Sequence, residues 1–252
     1  MFQPTLPAHT AELQALSDFE RNAHAHHGDT QAGHTLLSGL SPTLLQDLRR
    51  FDPHLGQGLD LLEVLAAALR HGRALQLYLE LDYRVVPLAV RPLQRSVDSP
   101  LSLAQLLALR LPDLRVLRVE PAKPDGQTVG NPAQATGASP LGALLWELAL
   151  RGARGTLLPE IAGPAAYRVS PGADLQALGM SGSLATAVER LRRDITPLRE
   201  LASWPGFDHD RATRVLNGLY LQAALIVSRS HPAALGRIPR IGRTARPPQG
   251  RA

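Results

Sequence analysis

The chain contains no cysteine. That excludes disulfides, thiol nucleophiles, and zinc or iron–sulfur centres held by cysteine. Lysine is nearly absent too: Lys123 is the only one among 27 basic residues. No phosphate loop can be built around it, because the glycine pattern that would precede it is missing. The arginine bias reads as the codon usage of a GC-rich, bacterial genome. Aromatic residues make up 4% of the chain, so the core is expected to be leucine-dominated. No stretch approaches the roughly 18 apolar residues of a membrane span. The densest, Leu141 to Leu150, carries Glu147. Met1 to Leu13 has neither a basic start nor an apolar centre, which argues against a secretory signal. A cytoplasmic location is the expectation.

The chain has 252 residues, enough for one large domain or two small ones with a sizeable core. The net charge is +5, but Arg237, Arg240, Arg243, Arg246 and Arg251 follow Pro232 with no acidic residue among them. Setting these five aside leaves 22 basic against 22 acidic residues. The charge therefore belongs to a tail. Such a tail binds nucleic acid or acidic lipid weakly and without sequence preference, through counterion release.

Five stretches follow from composition and period. Residues 1–40 read as mostly disordered, with one helical pattern near Ala11–Glu20. Residues 41–121 read as a small α+β unit, and 122–137, rich in Pro, Gly, Asn and Thr, as a linker. Residues 138–230 read as a helical region and 231–252 as a disordered, arginine-rich tail. In the first unit Ser41-Pro42 opens a short helix carrying Leu44, Leu45 and Leu48. A second helix over about Leu59–His71 stops at Gly72. Leu75, Leu77, Leu79 and Leu81 then alternate with Gln76, Tyr78 and Glu80, which is strand spacing. Asp82-Tyr83 turns into a partner strand, Arg84–Val90, with Pro87 suggesting a sheet edge. Ser99-Pro100 opens a helix to about Arg110, and Leu114–Glu120 is a further strand. The fold class expected is α+β: a small α-β-β-α-β unit followed by a mostly helical region.

In that region Ser139-Pro140 starts a helix with Leu141, Leu144, Leu145 and Leu148 on one face. Leu157–Ile161 and Ala166–Val169 add a helical turn and a short extended piece. Leu184, Ala187, Val188 and Leu191 follow helical spacing. Thr196-Pro197 caps another helix, Trp204-Pro205-Gly206-Phe207 turns the chain, and Asp208 caps a helix to about Ala224. Leu225, Ile226 and Val227 read as a brief strand. This order over 183–228 resembles a winged helix-turn-helix, a fold used for DNA and for protein contacts alike. The run Leu61–Val90 resembles the start of bacterial PATAN-type signalling domains. That resemblance implies a non-catalytic module in signalling, motility or surface-behaviour circuits, and carries over no active-site residues.

On helix 208–224 the inward stripe is Ala212, Val215, Leu216, Leu219 and Ala223. The outward face offers Asp210, Arg214, Asn217 and Leu221. Asp208 and Asp210 in the first turn suit the helix dipole but repel phosphate oxygens. Arg211, Arg214 and Asn217, with Arg237, Arg240, Arg243 and Arg246 of the tail, are the candidate contacts for a partner or nucleic acid. Trp204 and Phe207 are expected to pack between helices rather than form an exposed hot spot.

No catalytic residue, cofactor or metal site is called for. His24, His26, His27 and His34 lack a nearby Cys or Glu to complete a metal set. His209-Asp210 matches a dipeptide of metal-dependent phosphohydrolases but sits in a helix's first turn. Gly179–Ser183 resembles a nucleophile elbow, yet Ser183 stands where the last glycine belongs. The expectation is a non-enzymatic regulatory or adaptor protein with a protein partner. The alternative is a DNA-binding transcription regulator using helix 208–224 and the basic tail, any nucleic-acid affinity otherwise being weak and tail-driven.

Overall fold

The structure, a computed structural model, describes residues 13–25, 43, 46–47, 60–122 and 138–235. The class is mixed α+β, as the periodicities predict. β1 (Gln14–Ala15) and α1 (Leu16–Ala25) lie within the stretch read as mostly disordered. α2 (Leu61–His71) follows, then the hairpin β2 (Leu75–Leu81) and β3 (Arg84–Arg91). Asp82 and Tyr83 both adopt positive φ, 48° and 62°, the mirror-image turn that matches strand twist. β4 (Ser96–Asp98), α3 (Leu103–Ala108) and β5 (Arg115–Pro121) complete the first part.

Among the described residues β5, β2, β3, β4 and β6 (Ser139–Pro140) lie in that order in one sheet, and β1 also pairs with β3. Leu77 faces Leu88 across β2 and β3, and Leu79 faces Val86, so one leucine-rich face meets the helices. α4 (Leu141–Arg151) packs against α2 and α3, and buried apolar residues from both halves of the chain join one cluster. A second sheet orders β8 (Thr196–Pro197), β7 (Ala166–Val169) and β9 (Leu225–Ser228). Around it stand α5 (Gly182–Arg193), α6 (Leu198–Leu201) and α7 (His209–Leu221).

Local chemistry accounts for where the elements begin and end. Asp60 caps α2, its Oδ1 accepting from the Leu62 amide at 2.8 Å, and Gly72 ends it in the left-handed region at φ 60°. α3 starts later than Ser99-Pro100. The Ser99 hydroxyl accepts from the Leu101 amide instead, and a capping box between Ser102 and Gln105 takes over the helix start. Ser139-Pro140 and Thr196-Pro197 are extended pairs that complete strands before their helices begin. A residue ahead of proline is pushed out of the helical region, so these dipeptides can serve both elements.

Pro87 does not mark an edge strand. β3 is flanked on its outer side by β1 at Arg84–Val85 and by β4 at Ala89–Arg91, and Pro87 lies between those two pairings. The ring that cannot donate a ladder bond thus stands where neither pairing needs one. Ser41-Pro42 and the leucine face at Leu44, Leu45 and Leu48 lie outside the described residues, as does the linker from 123 to 137.

A polar cluster ties Asp47 to α2. Its Oδ2 lies 2.8 Å from His71 Nε2 and 2.6 Å from Arg70 Nη2, and Arg70 Nη1 also reaches Glu160. Partial burial pushes the Asp47 carboxyl up, but the bonds from His71 and Arg70 outweigh it and hold the pKa below 3.8. The stabilisation is therefore complete above the unfolded-state pKa and is lost as pH falls through the lower folded value. Wild type should have the higher urea midpoint than Asp47→Asn at about pH 5, where the carboxyl is still ionised. That difference should shrink below pH 3.8. A gap unchanged at still lower pH would mean that the Asp47 charge contributes nothing.

Candidate functional site

α7 was the element expected to offer an outward face, and the structure corrects that expectation. Its inward stripe is as read: Ala212, Val215, Leu216 and Leu219 are fully buried. Ala223 is not part of it. It lies beyond the helix end, exposed, with φ 56°. On the other side Asn217 is also fully buried and Leu221 nearly so. α7 is covered from more than one side. α4 runs antiparallel along the row Arg214, Gly218 and Gln222, which lie four residues apart and so stack on one line of the helix surface.

Each residue of that row has a distinct partner. Arg214 Nη1 donates to the carbonyl oxygens of Gly152 at 2.6 Å and Leu150 at 3.4 Å, at the C-terminal end of α4. There it satisfies acceptors that the helix leaves unpaired and meets the negative end of the dipole. At the other end Gln222 Nε2 donates to Gly142 O at 2.9 Å. Between them, a Cβ on Gly218 would stand 2.7 Å from two ring carbons of Trp146. Only glycine allows this approach. The leucine face read on α4 is present, but Trp146 also turns to α7, which period alone did not single out. An isolated glycine in a helical run was the available signal.

Asn217 is structural. Its Oδ1 accepts from the Leu158 amide at 2.9 Å and its Nδ2 donates to Thr156 O at 2.9 Å, anchoring the loop after α4. It cannot be a partner or nucleic-acid contact, because its side-chain groups are occupied inside the fold. Arg211 remains exposed. It donates to Gly206 O at 2.7 Å and its guanidinium lies over the Phe207 ring, 5.0 Å from the centroid. Arg190 likewise lies 4.2 Å from the centroid of Trp204, which is buried. Trp204 thus belongs to the core, with Phe207 partly buried against it, rather than to an exposed hot spot. Arg237, Arg240, Arg243 and Arg246 lie outside the described residues.

A cleft of about 570 Å³ lies where the end of α4 meets the start of α7, bordered by Arg151, Leu184, Asp208, Asp210, Arg211 and Arg214. Its charges are largely spent within the fold. Asp208 caps α7 through the Arg211 amide at 2.7 Å, and Asp210 accepts from Arg214 at 2.6 Å. Arg151 bonds Glu147 and Leu107 O, both at 3.1 Å. His209 is exposed in this first turn, and among the described residues no group of three His, Asp or Glu could hold a metal ion. Gly179–Ser183 forms a turn at Gly179 and then the first residues of α5. His26, His27 and His34 lie outside the described residues.

No described helix is long and apolar enough to cross a membrane. Comparison with protein families, with characterised proteins and with solved structures finds no match for this chain.

Proposed function

We propose that this chain is a non-enzymatic, cytoplasmic bacterial regulatory or adaptor protein that acts by binding another protein. In this reading the 183–228 segment is winged-helix-like and serves protein contacts, and the PATAN-like pattern over Leu61–Val90 marks a signalling module. The observation that carries it is the enclosure of α7. A recognition helix needs an open face to enter a groove of DNA, and here α4 covers the Arg214, Gly218 and Gln222 row while Asn217 is bonded to the loop after α4. The two carboxylates at the start of α7 and the neutral charge balance of the chain before its tail point the same way.

Two measurements test this. Capture of a protein partner from the native host should survive nuclease treatment. DNA affinity should be weak, independent of sequence, and confined to the tail, with a salt slope of at most about −4.5 for five arginines. Replacing Arg237, Arg240, Arg243, Arg246 and Arg251 by alanine should then abolish retention on duplex DNA, while Arg211→Ala leaves it unchanged. Sequence-selective binding that persists without the tail arginines and is lost with Arg211 would favour the transcription regulator instead.

A further inference from the structure

We propose that a cavity between the start of α2 and the end of α4 binds a small, neutral, apolar molecule. Its size suits one aromatic ring or a chain of about six carbons. The proposal goes beyond the adaptor reading and does not depend on it.

The cavity measures about 200 Å³. Protein interiors are close-packed, and voids larger than a water molecule are few. An apolar cavity of about 150 Å³ already stays dry and takes up benzene or xenon. Five leucines line this one: Leu61 and Leu62 of α2, Leu111 and Leu114 between α3 and β5, and Leu148 of α4. All but Leu114 are buried. The partly buried Leu114 and the exposed Ala153 mark the side on which the cavity opens.

An empty volume of this size destabilises a fold unless its walls collapse. Here the walls are held apart. Asp60 and Arg154 also border the cavity. Arg154 ties Asp60 and Glu63 of α2 to the carbonyl oxygens of Thr156 and Leu157. Gly152, on the same wall, has its carbonyl oxygen fixed by Arg214 at 2.6 Å. A polar strut therefore sets the distance between α2 and the 152–158 loop, and the leucines beside it cannot close up. A destabilising void that the fold keeps open points to an occupant.

The lining says what kind. The Asp60 carboxylate accepts from the Leu62 amide and from Arg154, so the two charges that border the cavity compensate each other. Everything else on the wall is apolar side chain or fixed backbone. A charged ligand would lose its hydration there and gain no counter-ion, whereas a ring or alkyl chain meets leucine methyl groups on several sides.

A toluene titration of the full chain, followed through the leucine methyl resonances, tests this. The shifts should saturate with a dissociation constant of about 1 mM or tighter. They should centre on the five lining leucines and leave Leu225 of the second sheet unmoved. The thermal midpoint should rise with toluene concentration. Leu114→Trp carries an indole in from the open side, and Leu62→Phe fills from the α2 wall. Each should weaken toluene at least roughly tenfold while the ligand-free midpoint stays level or rises, as cavity-filling substitutions do. Hexanol should compete with toluene, and hexanoate and hexylammonium should bind at least roughly tenfold more weakly. Shifts that never saturate would mean that the chain itself fills the volume and would overturn the proposal. Toluene binding unchanged in both filled variants would do the same, and hexanoate as tight as hexanol would overturn the neutral class of ligand.

Discussion

Arg154→Met should lower the unfolding free energy by about 3–5 kcal/mol, the usual cost of breaking a buried ionic cluster from one side. The side chain is 10% exposed. It donates to Asp60 at 2.5 Å and Glu63 at 2.8 Å, both at the start of α2, and to the carbonyl oxygens of Leu157 at 2.7 Å and Thr156 at 2.8 Å. Burial works against its charge, but the bonds to the two carboxylates outweigh that and raise its pKa above the ordinary arginine value. Methionine fills much of the volume, so the loss reports the bonds rather than a cavity. Arg154→Lys keeps the charge without the planar fork and should recover less than half of the loss. The measurement is a urea titration, with the midpoint lowered and the slope unchanged. A Met variant with wild-type midpoint would mean that the α2 start and the 152–158 loop are held together by apolar packing alone.

The same cluster shows why part of this fold was legible and part was not. Strand alternation at Leu75–Leu81 and helical spacing at Leu184–Leu191 are intrinsic to the local sequence, and both elements stand where the period puts them. The Asp82-Tyr83 turn was legible for the same reason. Arg154, by contrast, meets carboxylates more than ninety positions away, and no local pattern marks it. β4, β6 and β8 span two or three residues. They are extended because a neighbour pairs with them, which period cannot reveal. β1 is held by its pairing with β3, and Leu13 just before it joins the main core, neither of which a local period marks.

The candidate site fared likewise. One helical wheel separates a face that packs from a face that does not only when a single neighbour covers the helix. α7 has neighbours on both sides, so Asn217 and Leu221 were assigned outward and lie inside. Arg214 was legible as a cation near the helix start. That it would cap the end of α4 depended on where α4 docks. Arg211, the one exposed arginine read on α7, keeps its place but spends its hydrogen bond on the adjoining turn.

The row that closes α7 also carries a large and specific prediction. Gly218→Leu should destabilise the protein by about 3 kcal/mol, at the upper end for overpacking a close-fitting core. Even the first added carbon would meet the Trp146 ring at 2.7 Å, with Ala149 Cβ at 3.4 Å on the same side. The gain in helix propensity over glycine, at most about 1 kcal/mol, does not offset this. Gly172→Ala, at a position where an added Cβ meets nothing within 4 Å, serves as the control and should melt like wild type. Trp146→Ala should itself cost about 3–5 kcal/mol by leaving a cavity. Combined with Gly218→Leu, however, the leucine enters the space the indole vacates. The two losses should then fall short of additivity by more than about 1 kcal/mol, as contacting residues do. Thermal and urea melts of the four proteins complete the cycle. If Gly218→Leu melted like wild type, α4 would not seal α7, and the helix would again be free to meet DNA.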